Sequence, residues 1–195
     1  MMEPCDGGYE MDRKNQILLE EVQQNFASVV WTHKIQEKQA DIYAGRYNCF
    51  ETINIFLAAV TSCGIITTIF VDETIPKILT ALISFGTLFM TTYLKSFNLK
   101  KMEQQHRIVA NKFVVIRNQL LHIIAELHMG ANLEQVDTEY KTIITKLNAL
   151  YVDAPSTTNE AVKMASTALK AKDEYTYTAE EIDHFLPPTL RGEIK

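Results

Sequence analysis

Cysteine is scarce in this chain, with three residues in 195. Cys5, Cys49 and Cys63 are too scattered for a disulfide framework or a paired-cysteine zinc site, so they read as free thiols with no metal or redox role. A phosphate-cradling glycine loop and a nucleophile elbow are also missing. Those absences leave no catalytic residue, metal site or cofactor to expect. Strand-like alternation of apolar and polar residues is absent too, which points to an all-α chain. The formal net charge is -5, without a strongly basic face or an RNA-binding aromatic motif, and nucleic acid is therefore not an expected partner. The segment from Met1 to Glu10 has no basic region followed by an apolar one, so it does not read as a signal peptide.

Charge is absent from two apolar stretches, Thr52 to Val71 and Ile78 to Leu94. As helices they reach about 30 Å and about 26 Å, against a hydrocarbon core of about 30 Å. The first carries ten strongly apolar residues, among them Ile53, Phe56, Ile65 and Phe70, with a gross insertion gain of about 3 to 6 kcal/mol. The second is diluted by Thr80, Ser84, Gly86, Thr87, Thr91 and Thr92 and should insert only with its neighbour. Apolar residues cover every face of both segments rather than one stripe, which favours a transmembrane hairpin over a hairpin buried in a soluble bundle. Lys34, Lys38 and Arg46 precede it and Lys95, Lys100, Lys101, Arg107 and Lys112 follow it. Its connecting loop has only Lys77 beside Asp72 and Glu73. Both flanks are thus expected in the cytoplasm, with a cell-membrane location and residues 72–77 outside.

Leu99, Met102, His106, Val109, Phe113, Ile116, Leu120, Ile123 and Leu127 follow at alternating spacings of three and four, a heptad stripe. No Pro or Gly separates it from Leu94, so the spacing predicts one helix running from the second span to Gly130. Leu133, Val136, Tyr140, Ile143, Leu147 and Leu150 repeat the rhythm after a turn short enough to force an antiparallel neighbour. Upstream, Leu18, Val22, Phe26, Val29, His33, Gln36, Ala40, Tyr43, Tyr47 and Phe50 lead a third helix into the membrane, with Gly45 as a place for a bend. Thr157 with Glu160 and Thr178 with Glu181 form possible capping boxes for two short helices, the second ending before Pro187. The expected architecture is an all-α membrane protein in four parts. These are an N-terminal cytoplasmic helix (1–51), the hairpin (52–94), a helical stalk hairpin (95–151), and a C-terminal part with short helices (152–195).

The five histidines are spread over different helices. His33 and His106 fall on the stripes, where a packed, hydrogen-bonded ring is the expected role. His122 and Glu126 share a helix face as a surface pair. The hairpin carries two polar ridges: Thr80, Ser84, Thr87 and Thr91 on the second span, and Asn54, Thr61 and Thr68 on the first. Such ridges either pack helices together through small and hydroxyl side chains, as do Ala58, Ala59, Ser62 and Cys63, or line a water-filled path once several copies assemble. Basic residues near Lys100 and Lys101 suit anionic headgroups of a lipid bilayer. Tyr175, Tyr177, Phe185 and Leu186 are candidates for docking a partner protein.

Several segments in order around the hairpin carry a resemblance. They are Trp31-Thr-His-Lys-Ile-Gln-Glu-Lys-Gln-Ala-Asp41, His106-Arg107 with Ala110-Asn111-Lys112, Tyr151 with Ala154-Pro155, Glu180 to Pro187, and Leu190-Arg191. Together they resemble the SLATT family, two-transmembrane proteins of prokaryotic conflict systems, over nearly the whole chain. The resemblance implies an effector that compromises the host membrane, commonly beside nucleotide-signal synthases or sensors, and it implies no catalytic residues. The expectation is a homo-oligomerising, membrane-permeabilising effector of antiviral defence. A membrane-anchored adaptor that docks a cytoplasmic partner without forming a pore is the alternative.

Overall fold

The protein is all-α in a computed structural model that describes residues 7–70, 73–171, 173–175 and 177–185, with no strand among them. Helix α1, Gly7–Phe70, is a single run of 64 residues, about 96 Å long. Helical structure is unbroken at Gly45, where the sequence suggested a bend. The stalk stripe and the first apolar stretch therefore belong to one rod.

Helix α2, Thr74–Phe97, begins earlier than the sequence suggested, after an extended Glu73. Pro76 sits in its first turn, where the missing N–H has no helical partner to lose. Helix α3, Leu99–His128, follows after one residue. The unbroken helix expected from the span to Gly130 is thus interrupted at Asn98, which adopts the left-handed conformation with φ 41° and ψ 48°. Asparagine tolerates that region better than most residues, and its side chain then caps α3 by accepting from the Lys101 amide at 3.2 Å. Neither Gly nor Pro was needed for the break.

Gly130, with φ 75°, and Asn132, whose Oδ1 accepts from the amides of Glu134 and Gln135, make the turn into α4, Leu133–Asp153. The stripes face inward as expected: Val109, Phe113, Ile116, Leu120, Ile123 and Leu127 interlock with Val136, Tyr140, Ile143, Leu147, Leu150 and with Leu18, Val22 and Val29 of α1. Met102 departs from the pattern and is exposed. The side-chain pairs show the directions: α4 meets α1 at Asn25–Tyr140 and Thr32–Tyr151 and so runs parallel to it, while α3, which meets α1 at Gln36–His106 and α4 at Phe113–Tyr151, runs against both.

Helix α5, Asn159–Ala171, returns along the other side of α1, with Glu160 beside Arg46 and Lys170 beside Trp31. Ala161 and Ala165 let it approach Ile35 and Ile42 closely. Its cap is Thr158, whose hydroxyl accepts from the Ala161 amide at 3.4 Å, one residue later than the expected Thr157. The second box forms as read: the Thr178 amide donates to Glu181 Oε2 at 2.8 Å and the Glu181 amide to Thr178 Oγ1 at 3.3 Å, opening α6, Ala179–Phe185.

Nothing in the described chain covers the hairpin. No α2 residue is buried, and Ile69 and Phe85 are 73% and 71% exposed. The alternative of a hairpin enclosed by a soluble bundle is thereby removed, because the stalk core lies entirely outside the two apolar segments.

Candidate functional site

The segment from Trp31 to Asp41 faces three elements at once, and its polar residues form a hub in the stalk. Lys34 is only 3% exposed, yet it is charged: its Nζ lies 2.9 Å from Glu37 Oε2 and 2.5 Å from Glu174 Oε2. Burial alone would push the lysine pKa down, but the two carboxylates outweigh it and hold the ammonium above its ordinary range. Burial likewise disfavours the Glu37 carboxylate, and Lys34 with the Tyr175 hydroxyl overrides it, keeping Glu37 below the usual carboxylate range. The Glu174 carboxyl is lowered by its contact with Lys34.

Tyr175 closes this cluster. Its hydroxyl lies 2.9 Å from Glu37 Oε2 and 2.9 Å from His33 Nδ1. A phenol has one proton to give, so it donates to the carboxylate and accepts from His33, which must then carry its proton on Nδ1. The Tyr175 ring stacks on His33 at 5.3 Å, with Lys34 Nζ 4.4 Å and the Arg117 guanidinium 5.0 Å from its centroid. Burial lowers His33 to about 4 and raises Tyr175 to about 12, so both are neutral near pH 7.

One turn further, Gln36 Oε1 accepts from His106 Nδ1 at 2.6 Å while its amide donates to the Pro155 carbonyl at 3.1 Å. The His106 ring stacks on Tyr43, and burial lowers its pKa. Gln39 Oε1 receives the amide and hydroxyl of Thr158, each at 2.8 Å. Arg107 pairs with Asp41 at 3.1 Å, and Lys38 lies 3.7 Å from Asp41 and 3.8 Å from Glu174. The hub thus ties α1 to α3, to the α4–α5 connection and to the segment after α5. Both stripe histidines are packed and hydrogen-bonded, and His122 makes a 3.6 Å surface contact with Glu126, as expected. Sequence reading placed His33 and Gln36 on the stripe but missed Lys34, Arg117 and Glu174. The charged residues of the Trp31–Asp41 segment, too many for a core stripe, were the available signal for Lys34. Arg117 and Glu174 had none.

In the hairpin, Asn54, Thr61, Thr68, Thr80 and Thr87 are half-buried along the seam between α1 and α2, while Ser84 and Thr91 are exposed. The Thr91 hydroxyl at the seam's edge lies 3.1 Å from Asn54 Oδ1 and 2.9 Å from the Thr87 carbonyl. Thr61, Thr68 and Thr87 return their hydroxyl protons to carbonyls of their own helices. The helices approach closely at Gly64, where a Cβ would stand 2.5 Å from Thr80 Oγ1. Ala58, Ala59, Ser62 and Cys63 face away from this seam and are exposed.

Of the candidate docking residues, Tyr175 is turned into the hub. Tyr177 and Phe185 are 63% and 74% exposed with their rings edge to face at 6.3 Å. Leu186 lies outside the described residues.

Two helices, ending at Phe70 and beginning at Thr74, are long and apolar enough to cross a membrane. No curated protein and no solved structure matches the chain. The profile of the SMODS and SLOG-associating 2TM effector domain family 4 matches residues 18–181, which takes in the hub, the hairpin, the stalk and most of the C-terminal helices. The chain belongs to this family of two-transmembrane effector domains, and is a membrane effector of the SLATT type.

Proposed function

We propose that this effector sits in the cell membrane with its stalk and both termini in the cytoplasm, and that a signal delivered there makes several copies assemble and permeabilise the bilayer. The observation that carries the reading is the division of labour on the hairpin. Asn54, Thr61, Thr80 and Thr87 are used between α1 and α2, whereas Ala58, Ala59, Ser62, Cys63 and Ser84 lie on uncovered faces. Small and hydroxyl side chains on a lipid-facing surface let further helices approach closely. Two helices cannot enclose a water path, so permeation requires neighbours. The signal comes from a synthase or sensor that acts with the effector, and it must bind the assembled state better than the resting one.

The test is membrane potential and ion leakage in cells expressing the chain with its genomic neighbours, under infection and without it. Depolarisation confined to the triggered cells is expected. Replacing the uncovered Ser84 with Leu should reduce leakage while leaving membrane insertion intact. Unchanged potential under every trigger overturns the reading, and full leakage from the Ser84→Leu variant removes the pore-lining role of this face.

A second reading, an adaptor anchored by an inert hairpin, draws support from the exposed cluster of Tyr177, Ile182 and Phe185 beyond the hub. Such a surface suits a protein partner.

A further inference from the structure

We propose that the contact of Glu174 and Tyr175 with α1 is an intramolecular latch that holds the membrane hairpin in its resting state. The proposal rests on the permeabilising function for its purpose, but its geometry stands apart from it. The chain leaves α5 and turns at Asp173, whose φ of 46° is left-handed, with the Glu174 amide bonded to the Ala168 carbonyl at 3.3 Å. That turn delivers Glu174 to Lys34 and Lys38, and Tyr175 to His33, Glu37 and Arg117. Two consecutive residues therefore engage two helices through charge, hydrogen bonding and ring stacking. Only one of the two helices, α1, carries the contact onward without interruption to Phe70. On the α3 side the helix breaks at Asn98 before the membrane segment.

Withdrawing the latch exposes the opposite side of the same balance. Lys34 would keep Glu37 but lose its second carboxylate, and the acceptor of the His33 proton would be gone. A buried cation with half its partners favours a shift of α1 relative to α3 that brings it to water or to another anion. The same layer is already short of one partner: Gln39 Nε2 is buried with no acceptor among the described residues. A rod with unsatisfied groups at one point and a membrane span at its end transmits such a shift mechanically.

The full chain, with Cys5 and Cys49 changed to Ser and a nitroxide on the exposed Cys63, is reconstituted in phosphatidylethanolamine–phosphatidylglycerol vesicles holding a self-quenched dye. Cys63 lies on α1 about 44 Å beyond Lys34. Native chain is compared with Glu174→Gln, Tyr175→Ala and the milder Tyr175→Phe. Hydrogen exchange across residues 173–175 reports release, the nitroxide spectrum reports the span, and dye loss reports permeation. Expected are faster exchange by at least about tenfold in Glu174→Gln and Tyr175→Ala, less in Tyr175→Phe, and a changed Cys63 spectrum in the same order. Unchanged exchange in all three, or release with an unaltered Cys63 spectrum, overturns the latch. A Cys63 change without dye loss keeps the latch and counts against permeabilisation instead. Because Tyr175→Phe removes one hydroxyl and no packing volume, its graded effect also separates release from misfolding.

Discussion

The Tyr175 hydroxyl donates to Glu37 Oε2 at 2.9 Å across 138 residues of sequence, and His33 completes the pair from the same helix. This arrangement needs a proton on His33 Nδ1, and burial keeps the ring otherwise unprotonated by lowering His33 to about 4 from an ordinary 6.5.

A pH dependence follows with a definite sign. Unfolded His33 takes up a proton near pH 6.5 and folded His33 resists until about 4. Its contribution is complete above about pH 6.5 and is lost as the pH falls through that window, by roughly 1 to 3 kcal/mol. Thermal unfolding of the micellar protein at a series of pH values should show native stability falling there, with the His33→Asn variant falling less. The carboxylates Glu37 and Glu174 are held low, so their loss belongs to more acid pH.

His106→Ala should cost about 1 to 3 kcal/mol, because Gln36 Oε1 is left buried with its 2.6 Å donor removed and a cavity opens beside Tyr43. His106→Asn, which can still donate, should recover part of it. Equal melting temperatures for the two variants would contradict this account of the contact.

Gly64→Val should separate the hairpin. A Cβ already meets Thr80 Oγ1 at 2.5 Å, and a branched side chain cannot be placed without moving α2. A loss of about 1 to 3 kcal/mol is expected. Faster exchange in residues 57–68 of micellar protein would report it. Gly86→Ala, where a Cβ meets nothing within 4 Å, should leave exchange unaltered.

Asn98 serves two purposes that substitution can divide. Asn98→Gly keeps access to the left-handed region but loses the bond to the Lys101 amide, and Asn98→Ala loses both. The expected order of stability is native, then Gly, then Ala, with Ala lower than native by about 1 to 3 kcal/mol. Chemical denaturation of the micellar protein measures the order, and an Ala variant as stable as native would show that the break requires neither property.

Most of the fold was legible because the stripes are regular. From Val109 to Leu127 and Val136 to Leu150, every stripe residue is buried, since period and partner agree over many turns. The break at Asn98 was not legible because it depends on a single residue's tolerance of positive φ, without the glycine or proline that normally announces one. Thr158 displaced Thr157 as a cap because Gln39 binds the Thr158 amide and hydroxyl, a tertiary contact between distant residues. The hub was half legible for the same reason. His33 and Gln36 lie on a periodic face, but Glu174 reaches it only through the path the chain takes after α5, and Arg117 through the packing of α3 on α1.

Exchange of both membrane segments, 52–71 and 78–94, for inert Leu/Ala helices decides what the hairpin is for, with membrane potential read in triggered cells. Inserted protein that no longer depolarises the membrane is the expected result, since stalk, hub and C-terminal helices would be intact and only the polar seam and small-residue faces gone. Full effector activity from the exchanged protein would contradict it and make the hairpin an anchor.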